Sequence, residues 1–194
     1  MKIPLKGVIA ATVLGLTLPT LFMAGSGPAS AAEKKLWADS FLGKKAPELV
    51  TEKWLGNQPE TKGKWVLVDF WATWCGPCRA AIPELNTFHE KFKDKLVVIG
   101  ISDEPEEKVR EMKSPEIKYH SAIDTQARTK KALNVKGIPH VIVIDPEGIV
   151  RWEGFPMLEG HELTTEVMEK LLGSTASAPA AEKKAEPAAT DKPK

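Results

Sequence analysis

An almost unbroken apolar run, Trp65–Trp71, is followed within five residues by a segment of helical periodicity. Unbroken apolar runs of this length are typical of strands that are buried on both faces of a sheet. From residue 76 to residue 93 the apolar residues instead recur at helical spacing, so this segment predicts a helix with one buried face. The residues expected on that face are Ala80, Ile82, Leu85, Phe88 and Phe92. A strand covered on both faces and followed by a helix predicts an α/β protein.

The rest of the middle region alternates between strand and helix patterns in the same way. Residues 96–101 predict a second buried strand, and residues 162–172 predict a last helix that ends at Gly173. The shorter predicted elements are strands at 48–53, 119–123, His140–Ile144 and 149–153, and helices at 104–113 and 125–133. The last two strands flank Asp145-Pro146-Glu147-Gly148, whose turn-forming residues predict an antiparallel hairpin. Together these elements predict a mixed β-sheet flanked by helices on both faces.

The N-terminus has the features of an export signal. Lys2 and Lys6 precede an apolar stretch, and the small residues Ala29-Ser30-Ala31 fit a cleavage site after Ala31. Residues 1–31 are therefore predicted to be a signal peptide, with an uncleaved membrane anchor as the alternative. Export predicts that the protein works in an oxidising, extracytoplasmic compartment, either the periplasm or the cell envelope.

The C-terminal segment, residues 174–194, consists mostly of alanine, proline, lysine and glutamate. Such a composition buries too little apolar surface to offset the entropy of ordering, so we expect a disordered tail. One folded domain, residues 32–173, remains between the two ends. The formal net charge of the chain is +1, which gives no indication of nucleic-acid binding.

The two cysteines of the chain, Cys75 and Cys78, lie where the first buried strand gives way to the first helix. Residues three apart in the first turn of a helix are neighbours, so the thiols can form a disulfide without refolding. The helix N-terminus favours a thiolate at Cys75, the form that attacks disulfides. Gly76 permits close approach of a partner, and Pro77 fits the start of a helix. A purely structural disulfide and half of a metal site are the alternatives, but so short a loop stabilises little and no second cysteine pair completes a metal cage.

Asp69 interrupts the apolar run of the first strand. A lone buried carboxylate is costly, so we expect Asp69 to have a raised pKa and to carry a proton readily. From the base of the following helix it could take the proton of Cys78. The alternative is a polar group that is hydrogen-bonded in the core or that reaches solvent.

The segment that contains these residues, Val66-Leu67-Val68-Asp69-Phe70-Trp71-Ala72-Thr73-Trp74-Cys75-Gly76-Pro77-Cys78, resembles the active-site segment of thioredoxins. Residues 64–172 as a whole are similar to the exported thioredoxin-like proteins of the TlpA/ResA group. The resemblance implies a thioredoxin-like fold in which Cys75 attacks, Cys78 resolves and Asp69 accepts a proton.

The same resemblance implies several further features. Pro83 should kink the active-site helix, and Ile138-Pro139 should be a cis peptide whose backbone pairs with the substrate. Residues 103–123 should form an extra element after the second buried strand. The position three residues after the second cysteine is Ala81, whereas members that reduce apocytochrome c tend to carry an acidic residue there. This departure argues against a dedicated role in cytochrome maturation.

The sequence thus predicts an extracytoplasmic thiol-disulfide oxidoreductase that reduces protein disulfides as a monomer. No nicotinamide or flavin motif is present, so we expect no cofactor and electrons that come from a membrane relay. Trp74 is expected to be exposed as a docking surface beside Cys75. A disulfide oxidase or isomerase is one alternative, and a copper-delivery module that uses both thiolates and a histidine is another. His140 either lies near the dithiol or simply opens a strand.

Overall fold

The computed structural model describes residues 36–174, which form a mixed sheet of six strands with four helices. The strands are β1 (Lys53–Trp54), β2 (Trp65–Trp71), β3 (Leu96–Ser102), β4 (His120–Ile123), β5 (His140–Ile144) and β6 (Val150–Gly154). The helices are α1 (Gly76–Lys91), α2 (Glu106–Glu111), α3 (Arg128–Ala132) and α4 (Thr165–Ser174). The predicted signal peptide, residues 1–31, and residues 175–194 of the predicted tail lie outside the described residues. Within the described range, no helix combines the length and the apolar character needed to cross a bilayer.

Strand β2 lies inside the sheet, whose strand order is β1-β4-β3-β2-β5-β6. It pairs in parallel with β3 and antiparallel with β5. Strand β4 runs parallel to β3, while β1 and β6 pair antiparallel with their neighbours at the two edges. The mixed sheet and the β5–β6 hairpin predicted from the sequence are therefore confirmed.

Successive residues of β2 point to opposite faces of the sheet, and both faces are covered. The face that carries Leu67 packs against α1 and α4, through Ile82, Leu85, Phe88, Met168 and Leu172. The face that carries Val68 packs against the end of α3 and the irregular segment before β1, through Leu133, Phe41, Ala46 and Leu49. This arrangement confirms the predicted fold class, although irregular chain covers much of the second face.

The ends of several elements differ from the prediction for local reasons. Helix α2 begins at Glu106, directly after Pro105, and ends at Glu111, because the backbone of Met112 is extended. Helix α3 begins late because residues 124–127 form a turn, in which the Ala127 N–H donates to the Asp124 carbonyl at 2.7 Å. Helix α4 continues through Gly173, so the predicted end at this residue is wrong.

The strand predicted at 48–53 is reduced to Lys53–Trp54. Upstream of it, the Val50 N–H donates to Thr129 Oγ1 at 2.8 Å instead of pairing in the sheet. Residues 103–123 contain α2 and β4, and β4 lies between β1 and β3. This segment therefore widens the sheet on the side of β3 away from β2.

Candidate active site

Both cysteines lie at the start of α1, directly after the interior strand β2. Three residues separate the end of β2 from Cys75, which is the N-cap of α1. The Cys75 Sγ accepts a hydrogen bond from the Cys78 N–H at 3.2 Å. The two Sγ atoms are 2.00 Å apart, so the structure holds the oxidised, disulfide form. Pro77 occupies the first turn, where its missing N–H costs no helical hydrogen bond.

The two sulfur-bearing residues differ in their access to solvent. Cys75 is 5% exposed, whereas Cys78 is 0% exposed. Beside Cys75, Trp74 is 70% exposed, which confirms the exposure predicted for it. Gly76 and Pro77 are also exposed, and a Cβ on Gly76 would meet nothing within 4 Å. Cys75 is therefore the more accessible of the two cysteines.

The Ile138-Pro139 peptide is cis, as the resemblance implied. The partly buried Ile138 packs against the dithiol cluster, and Pro139 is buried next to it. The dithiol cluster consists of Trp71, Ala72, Cys75, Cys78, Val109 and Ile123. The structure thus brings Ile138 beside the disulfide, where a role in substrate binding stays a prediction.

Asp69 is completely buried within β2. Because side chains alternate along a strand, it lies on the same face as Leu67 and Trp71. Leu67 packs with α1 in the core, and Trp71 belongs to the dithiol cluster, so Asp69 lies beneath the active-site helix. Burial raises the pKa of Asp69 to about 7, and a hydrogen bond from Tyr119 opposes that rise.

The surroundings of Asp69 are nearly apolar. In the sheet it pairs with Gly100 of β3 and Val141 of β5. Its polar contact is the Tyr119 hydroxyl, which donates to Oδ2 at 3.4 Å. Among the described residues, Asp69 Oδ1 has no hydrogen-bond partner, and neither does the buried Nε1 of Trp71. The raised pKa of Asp69 agrees with the sequence-based expectation, and its role as a proton carrier stays a prediction.

The loop between β2 and Cys75 is held by Glu104. The Thr73 N–H donates to Glu104 Oε2 at 2.6 Å, and the Thr73 hydroxyl donates to Oε1 at 2.8 Å. Ser102, the last residue of β3, pairs with the last residue of β2, which brings Glu104 next to this loop. The two hydrogen bonds fix the backbone that presents Trp74 and Cys75.

Replacing Glu104 with alanine should lower the free energy of unfolding by about 1–3 kcal/mol, because it leaves the partly buried Thr73 N–H without an acceptor. Urea unfolding of the oxidised protein measures this loss. Glu107→Ala, at an exposed position of α2, is the matched control and should change the free energy by less than about 0.5 kcal/mol. Equal effects of the two substitutions would show that Glu104 does not hold the loop.

His140 opens β5 and is buried on the other side of the sheet. It pairs with Phe70 of β2, and the two rings stack with their centroids 6.3 Å apart. Phe70 belongs to the face opposite Asp69, so His140 packs away from the face on which the dithiol lies. Of the two interpretations of His140, the one in which it opens a strand is correct.

Within residues 36–174, no group of three or more histidine, cysteine, aspartate or glutamate side chains could hold a metal ion. His89 and His120 do approach each other edge to face, with ring centroids 5.5 Å apart. His89 is half-buried, and burial together with the charge of His120 lowers its pKa.

Sequence reasoning missed Tyr119 and Glu104. Glu104 follows the carboxyl end of a predicted buried strand, and side chains after neighbouring parallel strands meet at one edge of a sheet. That rule could have indicated its place beside the Thr73 loop. Tyr119 carries no comparable signal, because 50 residues separate it from Asp69.

Comparison with known families agrees with this geometry. Residues 42–153 match the profile of the AhpC/TSA family, which is more than half of the chain. The chain belongs to the AhpC/TSA family. It is 34% identical over 137 residues to the thiol-disulfide oxidoreductase ResA of Bacillus thuringiensis subsp. konkukian, a match that covers 68% of this chain and 76% of the relative.

Solved structures give the same assignment. The thioredoxin domain of a thiol-disulfide oxidoreductase from Bacteroides vulgatus is similar, with a TM-score of 0.58 and 30% identity over 68% of this chain and 97% of that one. A thiol:disulfide interchange protein from Bacteroides sp. has a TM-score of 0.58 and 29% identity over 70% and 93% of the two chains. The predicted resemblance and the predicted enzyme class, a thioredoxin-like thiol-disulfide oxidoreductase, are confirmed.

Proposed function

We propose that this chain is an exported reductase of protein disulfides, with Cys75 as the attacking thiol and Cys78 as the resolving thiol. The observation that carries the proposal is the asymmetry of the pair. Cys75 lies at the helix N-terminus with some exposure and an N–H donor aimed at its sulfur, while Cys78 is inaccessible. The apolar stretch and the Ala29-Ser30-Ala31 site support export.

In the first step, the Cys75 thiolate attacks one sulfur of a substrate disulfide. A mixed disulfide forms between Cys75 and the substrate, and the other substrate sulfur leaves as a thiolate. The Cys78 N–H and the N-terminal end of α1 stabilise the attacking thiolate. Trp74, Gly76, Pro77, Ile138 and Pro139 would form the surface that receives the substrate chain.

In the second step, the Asp69 carboxylate takes the proton of the Cys78 thiol. The Cys78 sulfur then attacks Cys75 Sγ, the substrate leaves as a second thiolate, and the Cys75–Cys78 disulfide remains. Two electrons have passed to the substrate, and Asp69 holds one proton. A pKa of about 7 suits this exchange because Asp69 is partly ionised at neutral pH.

The oxidised protein must be reduced again before the next turnover. The sequence carries no nicotinamide or flavin motif, so we expect a dithiol protein of a membrane electron relay to attack the disulfide. We expect electrons to flow from the dithiol to the substrate. A dithiol protein is a strong oxidant when its thiolate is strongly stabilised, and a negatively charged Asp69 carboxylate beneath α1 opposes such stabilisation of the Cys75 thiolate.

Replacing Cys78 with serine should trap substrates as mixed disulfides through Cys75, because attack proceeds and resolution does not. Cys75→Ser, which keeps the buried thiol, is the matched control and should trap none. Both variants, expressed with the full N-terminus and acid-quenched, can be compared on non-reducing gels and by mass spectrometry. Trapping by the Cys75→Ser variant instead would reverse the two roles.

A further inference from the structure

A cavity of about 670 Å³ lies between α2 and the start of β4. Four of its apolar lining residues, Leu55, Val109, Met112 and Ile117, belong to the dithiol cluster or pack against it. The cavity therefore adjoins the dithiol cluster. Tyr119 also lines it.

The Tyr119 side chain extends from this cavity to Asp69. Its hydroxyl lies 3.4 Å from Asp69 Oδ2, and the residue is only 5% exposed. Gly100 makes room for the ring, because a Cβ there would lie 2.9 Å from Tyr119 Cε2. Asp69 and Gly100 are paired across β2 and β3, so the ring passes over the strand next to Asp69.

We propose that Tyr119 is a positioning residue whose hydroxyl holds the Asp69 carboxyl group and favours its ionised form. The inference rests on the proposed function, in which Asp69 receives the Cys78 proton during resolution. Among the described residues, the Tyr119 hydroxyl is the one hydrogen-bond partner of the Asp69 carboxyl group.

A phenol can both donate and accept a hydrogen bond, which suits it to this task. Toward an ionised Asp69 the hydroxyl donates. Toward a protonated Asp69 the phenol oxygen can instead accept a hydrogen bond from the carboxyl O–H, but the bond to the carboxylate is the stronger one. Tyr119 is neutral in both cases. Burial and the Asp69 charge raise the pKa of Tyr119 well above its ordinary value, so the hydroxyl retains a proton to donate.

Other titratable groups face the same region. On the cavity side these are Arg110, Lys113, Glu116, Lys118 and His120. Arg110 is paired with Glu106, and Lys118 is paired with Glu90. On the dithiol side the groups are Cys75 and Cys78. His120 needs a control, because it follows Tyr119 directly in the chain.

The first test is the variant Tyr119→Phe, which keeps the ring over Gly100 and removes the hydroxyl. Reduced protein is mixed rapidly with excess 5,5′-dithiobis(2-nitrobenzoate), and release of the coloured thiol is followed. The first equivalent reports attack by Cys75, and the second reports resolution by Cys78. The first phase is thus an internal control.

We expect the second phase of Tyr119→Phe to be about fivefold slower than wild type at pH 6, because loss of the hydrogen bond disfavours the Asp69 carboxylate. The difference should shrink toward pH 9, where Asp69 is ionised in both proteins, and the first phase should not change. Adding Tyr119→Phe to Asp69→Asn should slow resolution no further. A uniform slowing at all pH values would indicate a merely structural role and would overturn the inference.

The second test uses the fact that Tyr119 is the only tyrosine of the chain. Oxidised protein labelled with 3-fluorotyrosine gives one fluorine resonance, which should titrate with a midpoint near 7 as Asp69 ionises. Asp69→Asn should abolish this titration, and His120→Gln should leave it in place. A titration that survives Asp69→Asn and is lost in His120→Gln would overturn the inference.

The experiments distinguish the role of Asp69 as proton acceptor from the role of Tyr119 as its positioning residue. If Asp69→Asn resolves as fast as wild type, Asp69 is not the proton acceptor. If Asp69→Asn is slow and Tyr119→Phe is not, only the role of Tyr119 is refuted.

Discussion

Asp69→Asn should make the folded protein more stable at pH 8 while it slows resolution of the mixed disulfide. The pKa of Asp69 rises from the usual value of about 3.9 to about 7 in the folded state. Ionisation is therefore harder in the folded than in the unfolded chain, which destabilises the fold by up to roughly 4 kcal/mol at pH 8. A neutral asparagine removes this cost.

The sign of the effect fixes its pH dependence. Below about pH 4 the carboxyl group is neutral in both states, so wild type and Asp69→Asn should be equally stable. Between about pH 4 and pH 7 the unfolded chain is ionised and the folded protein is mostly protonated, so the advantage of the variant should grow with pH. Above about pH 7 both states are ionised and the advantage should level off.

Urea unfolding of the oxidised protein at pH 4, 6 and 8 measures this dependence. Asp94→Asn, at an exposed position after α1, is the matched control and should show no comparable trend. The nitrobenzoate assay of Asp69→Asn at pH 7 should show a normal first phase and a second phase slowed about 100-fold or more, since a general base contributes about 10²–10⁴. A loss of stability at pH 8 with unchanged resolution would identify Asp69 as a structural polar group.

The parts of the structure that the sequence predicts are those encoded by local patterns. Strand β2 has the ends that its sequence predicts, because seven apolar-dominated residues followed by a helical pattern leave little freedom. The turn residues predict the β5–β6 hairpin, and Gly148 has the positive φ of 84° that such turns use. The dithiol is predictable because two cysteines at this spacing, directly after a buried strand, indicate a helix N-terminus.

The parts that escape prediction depend on contacts between distant segments. Tyr119 meets Asp69 only because Gly100, on the strand between them, lacks a side chain. Glu104 reaches Thr73 only because the ends of β2 and β3 are in register. The sequence allows two places for His140, because strand alternation assigns its face only once the register with Phe70 is known.

Short elements are the least predictable. Helices α2 and α3 have six and five residues, so a proline or a turn at one end changes much of their length. The strand predicted at 48–53 loses most of its length to a side-chain acceptor on α3, Thr129 Oγ1. A sequence pattern of five or six residues does not reveal whether a backbone N–H pairs in the sheet or with a side chain.

The direction of electron flow depends on how far the fold stabilises the Cys75 thiolate. Reduction potentials are about −270 mV for thioredoxin and about −120 mV for a strongly oxidising dithiol protein, a difference of roughly 7 kcal/mol for a two-electron couple. Gly76-Pro77 between the cysteines and Ile138 before the cis proline resemble the reducing members. The buried Asp69 carboxyl group also opposes a strongly stabilised thiolate.

The most direct test is the reduction potential of the Cys75–Cys78 couple. The protein is equilibrated in glutathione or dithiothreitol buffers of graded ratio at pH 7, quenched with acid, and its thiols are labelled and counted by mass. A reductase of protein disulfides should give a potential near that of thioredoxin, about −270 mV. A potential above about −180 mV, in the range of disulfide isomerases and oxidases, would contradict it.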